Sequence, residues 1–282
     1  MKDCCLILDG FALTYRAYFG VPNTIRTTQG RAINAVLGFY NTLSSLINQI
    51  HPKYLVVAFD NPQPTFRHIM YKDYKANRPP MPDDLRHQIP LIRDVLAACN
   101  IPILELPGYE ADDVVGTLTR LLPPNTDAYV ITMDRDALQL VNDHVSVLVP
   151  NSRENKIYTP KIVFYEWNVT PVRIPDLKAL MGDSSDNIPG VPKVGKKTAV
   201  KWLHQYGTLE NILAAADELT GRVGESLREH KNQALLCKDL ATIRLDTPIM
   251  WCWQSLHLTK DFSPLRKTLA DIGIRARLPR TS

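Results

Sequence analysis

The sequence predicts an α/β protein in which a mainly parallel sheet is flanked by helices and followed by a smaller helical domain. Two observations support this prediction. Short β-rich runs recur through the first half of the chain with helical patterns between them, and strands that alternate with helices form parallel sheets covered on both faces. After about residue 170 the β-branched runs stop and helical patterns take over. We therefore place an α/β domain at residues 1–172 and a helical domain at residues 173–282.

The individual elements follow from the hydrophobic pattern. Five apolar runs predict strands: Cys4–Leu8, Tyr54–Phe59, Ile103–Leu106, Ala128–Thr132 and Val145–Val149. Between the first two runs, apolar residues from Ile33 to Ile50 keep to one helical face, which predicts an amphipathic helix over residues 32–50. In the second half, the same reasoning predicts helices over residues 198–206 and 209–216.

Composition narrows the class of protein. A chain of 282 residues that is 45% hydrophobic can bury one large core or two modest ones. No apolar run approaches the roughly 20 residues that cross a bilayer, and no signal segment precedes the first strand, so we expect a cytoplasmic protein without membrane contact. The five cysteines match neither a zinc site nor a disulfide framework and are expected to be packing residues. A net charge of only +4 gives no global field for nucleic acid.

Acidic residues follow the predicted strands. Asp9 comes directly after the first strand, Asp60 after the second, and Asp134 shortly after the fourth. Because the ligand crevice of an open parallel sheet lies beyond the carboxyl ends of its strands, these side chains should converge there. Further acids occur in closely spaced groups, and the full candidate set is Asp9, Asp60, Glu110, Asp112, Asp113, Asp134, Asp136, Asp183 and Asp186.

So many like charges in one crevice require a counterion. Carboxylates that repel one another have raised pKa values unless positive charge holds them ionised. Magnesium is the natural candidate, because hard divalent cations prefer oxygen ligands and pairs of them form the recurring site for attack on phosphodiesters. Any one of these acids could instead be a helix cap or a turn former, and only the whole set favours a metal site.

A basic stretch follows the last acids. Residues 187–209 contain four lysines, Lys193, Lys196, Lys197 and Lys201, and no acid. The core of the stretch, residues 190–195, has the glycine pattern of the hairpin in a helix–hairpin–helix element, which contacts duplex phosphates without reading sequence. A P-loop is not expected, because Lys197 stands where a magnesium-binding hydroxyl is required. The alternative interpretation is that these lysines lie at the start of a helix and only contact solvent.

Two segments combine cations with aromatic residues. One lies between Asp60 and Leu91 and carries Arg67, Lys72, Tyr74, Lys75 and Arg78. Such a mixture suits a single nucleic-acid strand, because cations follow phosphates and aromatic rings stack on bases, although a surface helical hairpin would have a similar composition. The other segment directly follows Asp9 and contains Tyr15, Arg16, Tyr18 and Phe19, which could equally be core residues.

Together these motifs resemble the 5′ nuclease superfamily, especially the 5′-3′ exonuclease domain attached to bacterial DNA polymerase I and the related flap endonucleases. The resemblance extends from Leu8-Asp9-Gly10 through Phe59-Asp60, Tyr74-Lys75-Ala76-Asn77-Arg78, Gly108-Tyr109-Glu110-Ala111-Asp112-Asp113 and Asp134-Arg135-Asp136 to the stretch of residues 182–191. It implies a PIN-like or resolvase-like sheet and a helical domain with a helix–hairpin–helix element.

The resemblance also implies roles for particular residues. Asp9, Asp60, Glu110 and Asp112 correspond to the first metal cluster of the family, and Asp113, Asp134, Asp136, Asp183 and Asp186 to the second. Lys75 and Arg78 correspond to catalytic, positively charged residues of an arch over about residues 66–91. In the same arch, Arg67, Lys72 and Tyr74 are expected to contact DNA. Tyr15, Arg16 and Phe19 correspond to the helix that meets the DNA junction, and Gly190, Val191, Lys193, Gly195, Lys196 and Lys197 to the duplex-binding hairpin.

The implied cofactors are two Mg²⁺ ions, for which Mn²⁺ can substitute, and a potassium ion at the hairpin. The implied partner is DNA with a 5′ flap, overhang or nick, with no nucleotide cofactor. The sequence carries no polymerase domain, so we expect a stand-alone nuclease or an excised part of a larger protein. Residues 275–282 lack the glutamine and paired aromatics of a clamp-binding peptide, so recruitment by a sliding clamp is not expected.

The leading functional hypothesis is a structure-specific 5′-3′ exonuclease or flap endonuclease that hydrolyses DNA by a two-metal-ion mechanism in replication and repair. A non-catalytic protein that binds branched DNA is one alternative, although it would tolerate the loss of acids in the second cluster and none is missing. A metal-dependent nuclease for RNA on a similar sheet is the other alternative.

Overall fold

The computed structural model describes residues 2–151, 153–259 and 261–280. In this part of the chain a six-stranded sheet forms the centre of the molecule. Its strands are β1 (Asp3–Asp9), β2 (Tyr54–Ala58), β3 (Ile103–Leu104), β4 (Thr126–Ile131), β5 (Val145–Val149) and β6 (Lys156–Tyr158). The strand order is β3-β2-β1-β4-β5-β6, and every neighbouring pair is parallel except β5 and β6.

The strand order fixes where a ligand can bind. From β1 the chain first adds β2 and β3 on one side of β1, and then crosses to add β4 and β5 on the other side. The order therefore reverses between β1 and β4, and in such sheets the crevice opens at the carboxyl ends of these strands. Asp9 ends β1, and Asp134 follows β4 by three residues. The predicted parallel sheet is confirmed, and β6 is an additional antiparallel edge strand.

Helices cover both faces of the sheet. In the first half they are α1 (Gly10–Gly20), α2 (Asn34–Ile50), α3 (Phe66–Met70), α4 (Asp83–Arg86), α5 (Ile89–Ala98), α6 (Ala111–Arg120) and α7 (Pro160–Trp167). The later helices are α8 (Ile174–Met181), α9 (Lys196–Tyr206), α10 (Leu209–Ala214), α11 (Gly221–Glu229), α12 (Lys231–Ala241) and α13 (Ser263–Ile272). Short 3₁₀ helices lie at Asp136–Leu140, Pro171–Arg173 and Trp253–Leu256.

The core has two parts, one on each side of the sheet. On one side, α1, α2 and α5 pack against β1 and β2, with Phe39 and Leu96 fully buried between them. On the other side, α6 and the helices α8 to α12 share a second cluster that includes Leu118 and Leu180. The helix α13 returns to the first side and packs on α5 through buried residues such as Leu265. The sheet is thus covered from both faces, as a mainly parallel sheet requires.

None of the helices in the part of the chain described here combines the length and the hydrophobicity that a bilayer crossing needs.

Candidate active site

A cleft of about 670 Å³ opens at the carboxyl ends of β1, β2 and β4. It lies where the strand order reverses, which is the place that the topology predicts for a ligand. Carboxylates from several elements line it: Asp9, Asp60, Glu110, Asp112, Asp134 and Asp183. Asp136 and Asp186 are buried. Asp136 pairs with Lys178 and Asp186 pairs with Arg78, and both of these basic residues line the cleft. The acidic crevice therefore lies where the sequence predicts it.

The strand ends hold the first of these carboxylates in place. Asp9 caps α1, because its Oδ1 accepts a hydrogen bond of 2.9 Å from the backbone N–H of Ala12. Its Oδ2 accepts a second bond of 2.8 Å from the hydroxyl of Thr132, which directly follows β4. Asp60 accepts a bond of 2.7 Å from the N–H of Ala111 at the start of α6. The carboxylates themselves thus join the end of β1 to the end of β4, and the end of β2 to the start of α6.

Burial and mutual repulsion disfavour the charged forms of these acids. Burial, with added repulsion from Asp60 and Asp134, raises the pKa of Asp9 to about 6. The pKa of Asp112 is raised well above its usual value by burial and then by the charges of Asp134 and Asp9. Burial also raises the pKa values of Asp60 and Asp134. Carboxylates in this condition are stabilised by added positive charge, as a bound cation would supply.

The chain supplies part of that positive charge itself. Lys75 Nζ lies 2.7 Å from Glu110 Oε1 and 3.7 Å from Asp186 Oδ2, and Arg78 Nη2 lies 2.6 Å from Asp186 Oδ1. These bonds direct carboxylate oxygens toward the two basic side chains. Within the described residues, no three acidic, histidine or cysteine side chains converge on one point that would hold a metal ion. Glu110 and Asp186 are directed toward Lys75 and Arg78.

Lys178 is a cation of the cleft that the sequence analysis did not identify. It lies on α8, is 5% exposed, and places its Nζ 2.5 Å from Asp183 Oδ2 while also pairing with Asp136. The available signal was a lysine within a largely apolar helix, five residues before Asp183. Even with these cations, carboxylates remain in excess around the cleft. An excess of buried oxygen donors fits hard divalent cations.

Two predicted site residues need correction, because the structure places them in the interior. Asp113 was expected to bind metal and Arg67 to contact DNA, but they are 0% and 2% exposed and pair with each other. Arg67 Nη1 lies 2.7 Å from Asp113 Oδ2, and its Nη2 lies 2.8 Å from Oδ1. Asp113 also accepts bonds from the N–H groups of Glu110 and Arg244. Neither side chain is accessible to an ion or to DNA.

Tyr74 was also expected to contact DNA, and this expectation needs the same correction. The side chain is 3% exposed, and its hydroxyl lies 3.0 Å from Glu110 Oε2 and 2.9 Å from Asp186 Oδ2. Tyr74 therefore positions two carboxylates from the interior of the protein and does not face single-stranded DNA. By contrast, Lys72 on the same segment is exposed, and Lys75 and Arg78 line the cleft.

The basic hairpin lies between α8 and α9. The side chains of Lys193, Lys196 and Lys197 are exposed around the start of α9, where Gly195 has no side chain to cover the helix end. Lys196 lies over the ring of Trp167, 4.6 Å from its centroid, and Trp167 itself lines the cleft. The hairpin surface is therefore continuous with the cleft. Trp167 is a further cleft residue that the sequence analysis did not identify.

Two hairpin residues, Gly190 and Val191, were expected to contact DNA but have a structural role instead. Val191 is 2% exposed, and its N–H donates to the carbonyl of Leu180 at 2.8 Å. Gly190 is buried, and a Cβ on it would lie 2.2 Å from the nitrogen of Gly182. Only glycine allows this approach of two backbones. These two residues shape the hairpin, while its lysines and Gly195 remain on the surface.

The helix α1 carries the second aromatic group. Phe19 is 76% exposed, and its ring stacks on that of Tyr15 with centroids 6.3 Å apart. Tyr15 lines the cleft, whereas the Nε of Arg16 donates to the carbonyl of Pro150 at 3.1 Å. The aromatic residues therefore extend from the cleft along the exposed side of α1. Arg16 is half-buried and its bond to Pro150 directs it toward the sheet.

An acid-lined cleft at the switch point of a parallel sheet, beside a lysine-rich helix–loop–helix, defines the nuclease class. The chain belongs to the 5′-3′ exonuclease family. Residues 4–168 match the N-terminal resolvase-like domain of this family, and residues 169–263 match its C-terminal SAM fold. The family resemblance drawn from the motifs is confirmed.

Known proteins of similar sequence are DNA polymerases. The chain is 45% identical to DNA polymerase I of Bacillus caldotenax over 253 residues, which cover 88% of this chain and 29% of that protein. It is 39% identical to DNA polymerase I of Mycobacterium tuberculosis (strain H37Rv) over 261 residues, which cover 91% of this chain and 29% of that protein. The chain thus spans less than a third of the length of these relatives.

Solved structures share the fold across almost the whole chain. The T5 D15 protein co-crystallised with metal ions superposes with a TM-score of 0.70 at 22% identity, covering 95% of this chain and 98% of that chain. The catalytic core of Rad2 in complex with DNA substrate gives a TM-score of 0.59 at 16% identity, covering 96% and 88%. At these identities the likeness shows the fold, and the chemistry rests on the cleft itself.

Proposed function

We propose that this protein hydrolyses DNA phosphodiester bonds at 5′ ends and at junctions between single and double strands, as a 5′-3′ exonuclease and flap endonuclease in replication and repair. The observation that carries the proposal is the set of buried carboxylates in the cleft, among which burial and neighbouring carboxylates raise the pKa values of Asp9, Asp60, Asp112 and Asp134. Such a set is costly to the fold unless cations bind there. Its position in a 5′-3′ exonuclease family chain supports phosphodiester chemistry.

The resemblance to the 5′ nuclease superfamily divides the donor set into two groups. Asp9, Asp60, Glu110 and Asp112 would hold one divalent ion, and Asp134, Asp136, Asp183 and Asp186 the other. Mg²⁺ is the expected ion and Mn²⁺ its substitute, because all of these donors are oxygens. When bound, two such ions would stabilise the charge that develops on the entering and leaving oxygens of the phosphate. The T5 flap endonuclease has been crystallised with DNA and metal ions, which supports this assignment.

Lys75 and Arg78 would act on the phosphate from the opposite wall. Both line the cleft, and both are held there by carboxylates that a divalent ion would also attract. A cation beside the scissile phosphate stabilises the transition state more than the ground state, since charge grows during the reaction. Their part is therefore catalytic, whereas Tyr74 and Arg67 position the acids from the interior.

Separate surfaces would bind the remainder of the DNA. The lysines of the hairpin and the start of α9 would contact duplex phosphates, and the exposed ring of Phe19 with Tyr15 would meet the bases at the junction. The potassium ion expected at the hairpin stays a prediction. The carbonyl of Gly190 accepts a bond from Gln233, and that of Val191 accepts one from Val194, so either would have to be shared with the ion.

Removal of cleft carboxylates tests the proposal. Asp134→Ala and Asp136→Ala should abolish cleavage of a 5′-flapped DNA in magnesium and leave binding of the same DNA in calcium unchanged, since the hairpin lysines are untouched. The control is Asp143→Ala, which removes an exposed carboxylate far from the cleft. Full activity in Asp134→Ala would refute the metal assignment. A wild-type protein that binds the flap but never cuts it would favour the non-catalytic binder.

A further inference from the structure

We propose that Asn77 and Asn187 are positioning residues that hold the turn from Asp73 to Arg78 in the cleft. The inference rests on the proposed function and names residues that it does not assign. Each asparagine belongs to one of two segments that lie more than 100 positions apart in sequence. One segment is the turn that carries Lys75 and Arg78. The other is the loop of residues 183–187, which carries Asp183 and Asp186.

The two side chains form a reciprocal pair of hydrogen bonds, here called the asparagine clasp. Asn77 Nδ2 donates to the carbonyl of Ser184 at 2.8 Å, and Asn187 Nδ2 donates to the carbonyl of Asp73 at 2.7 Å. Between these bonds, the backbone N–H of Lys75 donates to the carbonyl of Asp186 at 3.0 Å. Each segment thus supplies an amide side chain that bonds the backbone of the other.

The backbone of the turn requires such support. Lys75 has φ of 55° and Asn187 has φ of 57°, both in the left-handed region. Asparagine tolerates this region well, but a lysine there costs free energy and persists where its surroundings hold it. The bonds of the clasp flank Lys75 in sequence, at Asp73 and at Asn77. The clasp therefore holds the strained residue whose Nζ lies against Glu110.

The clasp also connects separate parts of the site. The loop of residues 183–187 supplies carboxylates of the second group and continues into the hairpin through Ile188 and Gly190. The turn of residues 73–78 supplies the cations expected to face the scissile phosphate. When the hairpin holds duplex DNA, the clasp fixes the distance from that duplex to Lys75 and Arg78. Its loss should slow the reaction more than it weakens binding.

The clasp is a local device because its bonds lie at the surface. Asn77 is exposed and Asn187 is half-buried, so water can replace either bond when the fold is otherwise intact. Removing the amide groups should therefore leave global stability nearly unchanged and loosen the turn alone. Asn187→Gly is the suitable variant at the second position, since glycine keeps access to positive φ while it removes the amide group.

Hydrogen exchange of the metal-free protein tests the clasp without reference to activity. In Asn77→Ala, Asn187→Gly and the double variant, the amides of residues 73–78 should exchange faster than in wild type, with segments outside this turn and its partner loop of residues 183–187 unchanged. The matched control is Asn125→Gly, which removes an exposed asparagine that has a positive φ, 59°, like that of Asn187, in a loop far from the cleft. Unchanged exchange in the double variant would overturn the proposal, as would faster exchange throughout the molecule.

Single-turnover cleavage of a 5′-flapped DNA at saturating enzyme gives the second measurement. Each single variant should cut about three- to tenfold more slowly, as loss of one hydrogen bond of ordinary net strength predicts, while its affinity for duplex DNA stays that of wild type. A matched loss of rate and affinity would overturn the positioning role. If wild type itself does not cut, the proposed function fails, and the exchange experiment still decides whether the clasp holds the turn.

Discussion

Arg67 and Asp113 form a two-bond ion pair in the interior of the protein, with distances of 2.7 and 2.8 Å. Arg67 also donates to the carbonyls of Leu240 and Thr242 at the end of α12, so the pair joins α3, α6 and the end of α12. Asp112, one position earlier, lies in the cleft instead. Two adjacent carboxylates thus have different roles: Asp113 stabilises the fold, and Asp112 belongs to the site.

This difference predicts opposite effects on stability. Asp113→Ala should lower the free energy of unfolding by about 3–5 kcal/mol, because it leaves the buried charge of Arg67 with only the longer contact to Glu110, at 3.4 Å. Asp112→Ala should leave the stability of the metal-free protein unchanged or raise it, because a repelled carboxylate is removed. Urea unfolding in EDTA measures both variants. Wild-type stability in Asp113→Ala would contradict the structural role of the pair.

The raised pKa of Asp9 predicts a pH dependence of stability in the metal-free protein. Because the folded-state pKa, about 6, lies above the unfolded value, the stabilising contribution is fully present below the unfolded pKa. It is lost as pH rises through the folded pKa. The unfolding temperature in EDTA should therefore fall between about pH 4 and 6. The fall should be smaller in Asp9→Asn, and calcium should restore stability above this window.

The same measurement shows whether the acids are linked to cation binding. Stabilisation by calcium should be greater at neutral pH than at pH values below the folded pKa of Asp9, since protonated carboxylates bind cations poorly. Stability that rises with pH across the window in EDTA, with no difference between wild type and Asp9→Asn, would contradict the assignment of Asp9.

Lys75 is predicted to act in the chemical step. Lys75→Ala should slow single-turnover cleavage of a flapped DNA by about a hundredfold or more, because a cation beside the phosphate matters most as charge develops. Lys72→Ala is the matched variant, since Lys72 is exposed on the same segment but does not line the cleft. It should weaken binding slightly at most. If the rate in Lys75→Ala falls only as far as affinity does, Lys75 is a binding residue.

The hairpin lysines are predicted to bind phosphates of any duplex sequence. Replacing Lys193, Lys196 and Lys197 by Ala should lower the slope of log affinity against log salt by about 0.9 for each phosphate that is no longer neutralised. Lys267→Ala, an exposed lysine on α13 at the other face of the sheet, is the control. An unchanged slope in the triple variant would mean that these lysines are only solvated.

Much of the fold could be predicted because buried parallel strands are continuous apolar runs. Val145–Val149 was predicted with the bounds that the structure has. The edge strand β6, Lys156–Tyr158, was missed, since it has only three residues, two of them exposed, and is too short to show an apolar pattern. The return of α13 to the first side of the sheet depends on packing with α5, which sequence spacing does not show. The domain limits at residues 172 and 173 stay a prediction.

The site was predictable where residues follow strands and not where distant contacts decide. Asp9 and Asp60 could be placed because parallel strands end at one edge of the sheet. The spacing of Glu110 and Asp113 was recognised, but it serves a capping box at the start of α6. The partner that takes Asp113 out of the site is Arg67, 46 positions earlier. Lys178 was missed for a similar reason, since its acids come from two other segments.

The function proposed for the carboxylate cleft is hydrolysis of DNA with the help of divalent metal ions. Single-turnover cleavage of a 5′-flapped DNA, beside the same substrate with an RNA flap, each with magnesium and with EDTA, tests this most directly. We predict cuts near the junction of the DNA flap in magnesium, none in EDTA, and much slower cleavage of the RNA flap. Cleavage in EDTA, preference for the RNA flap, or tight binding without any cut in magnesium would contradict the proposal.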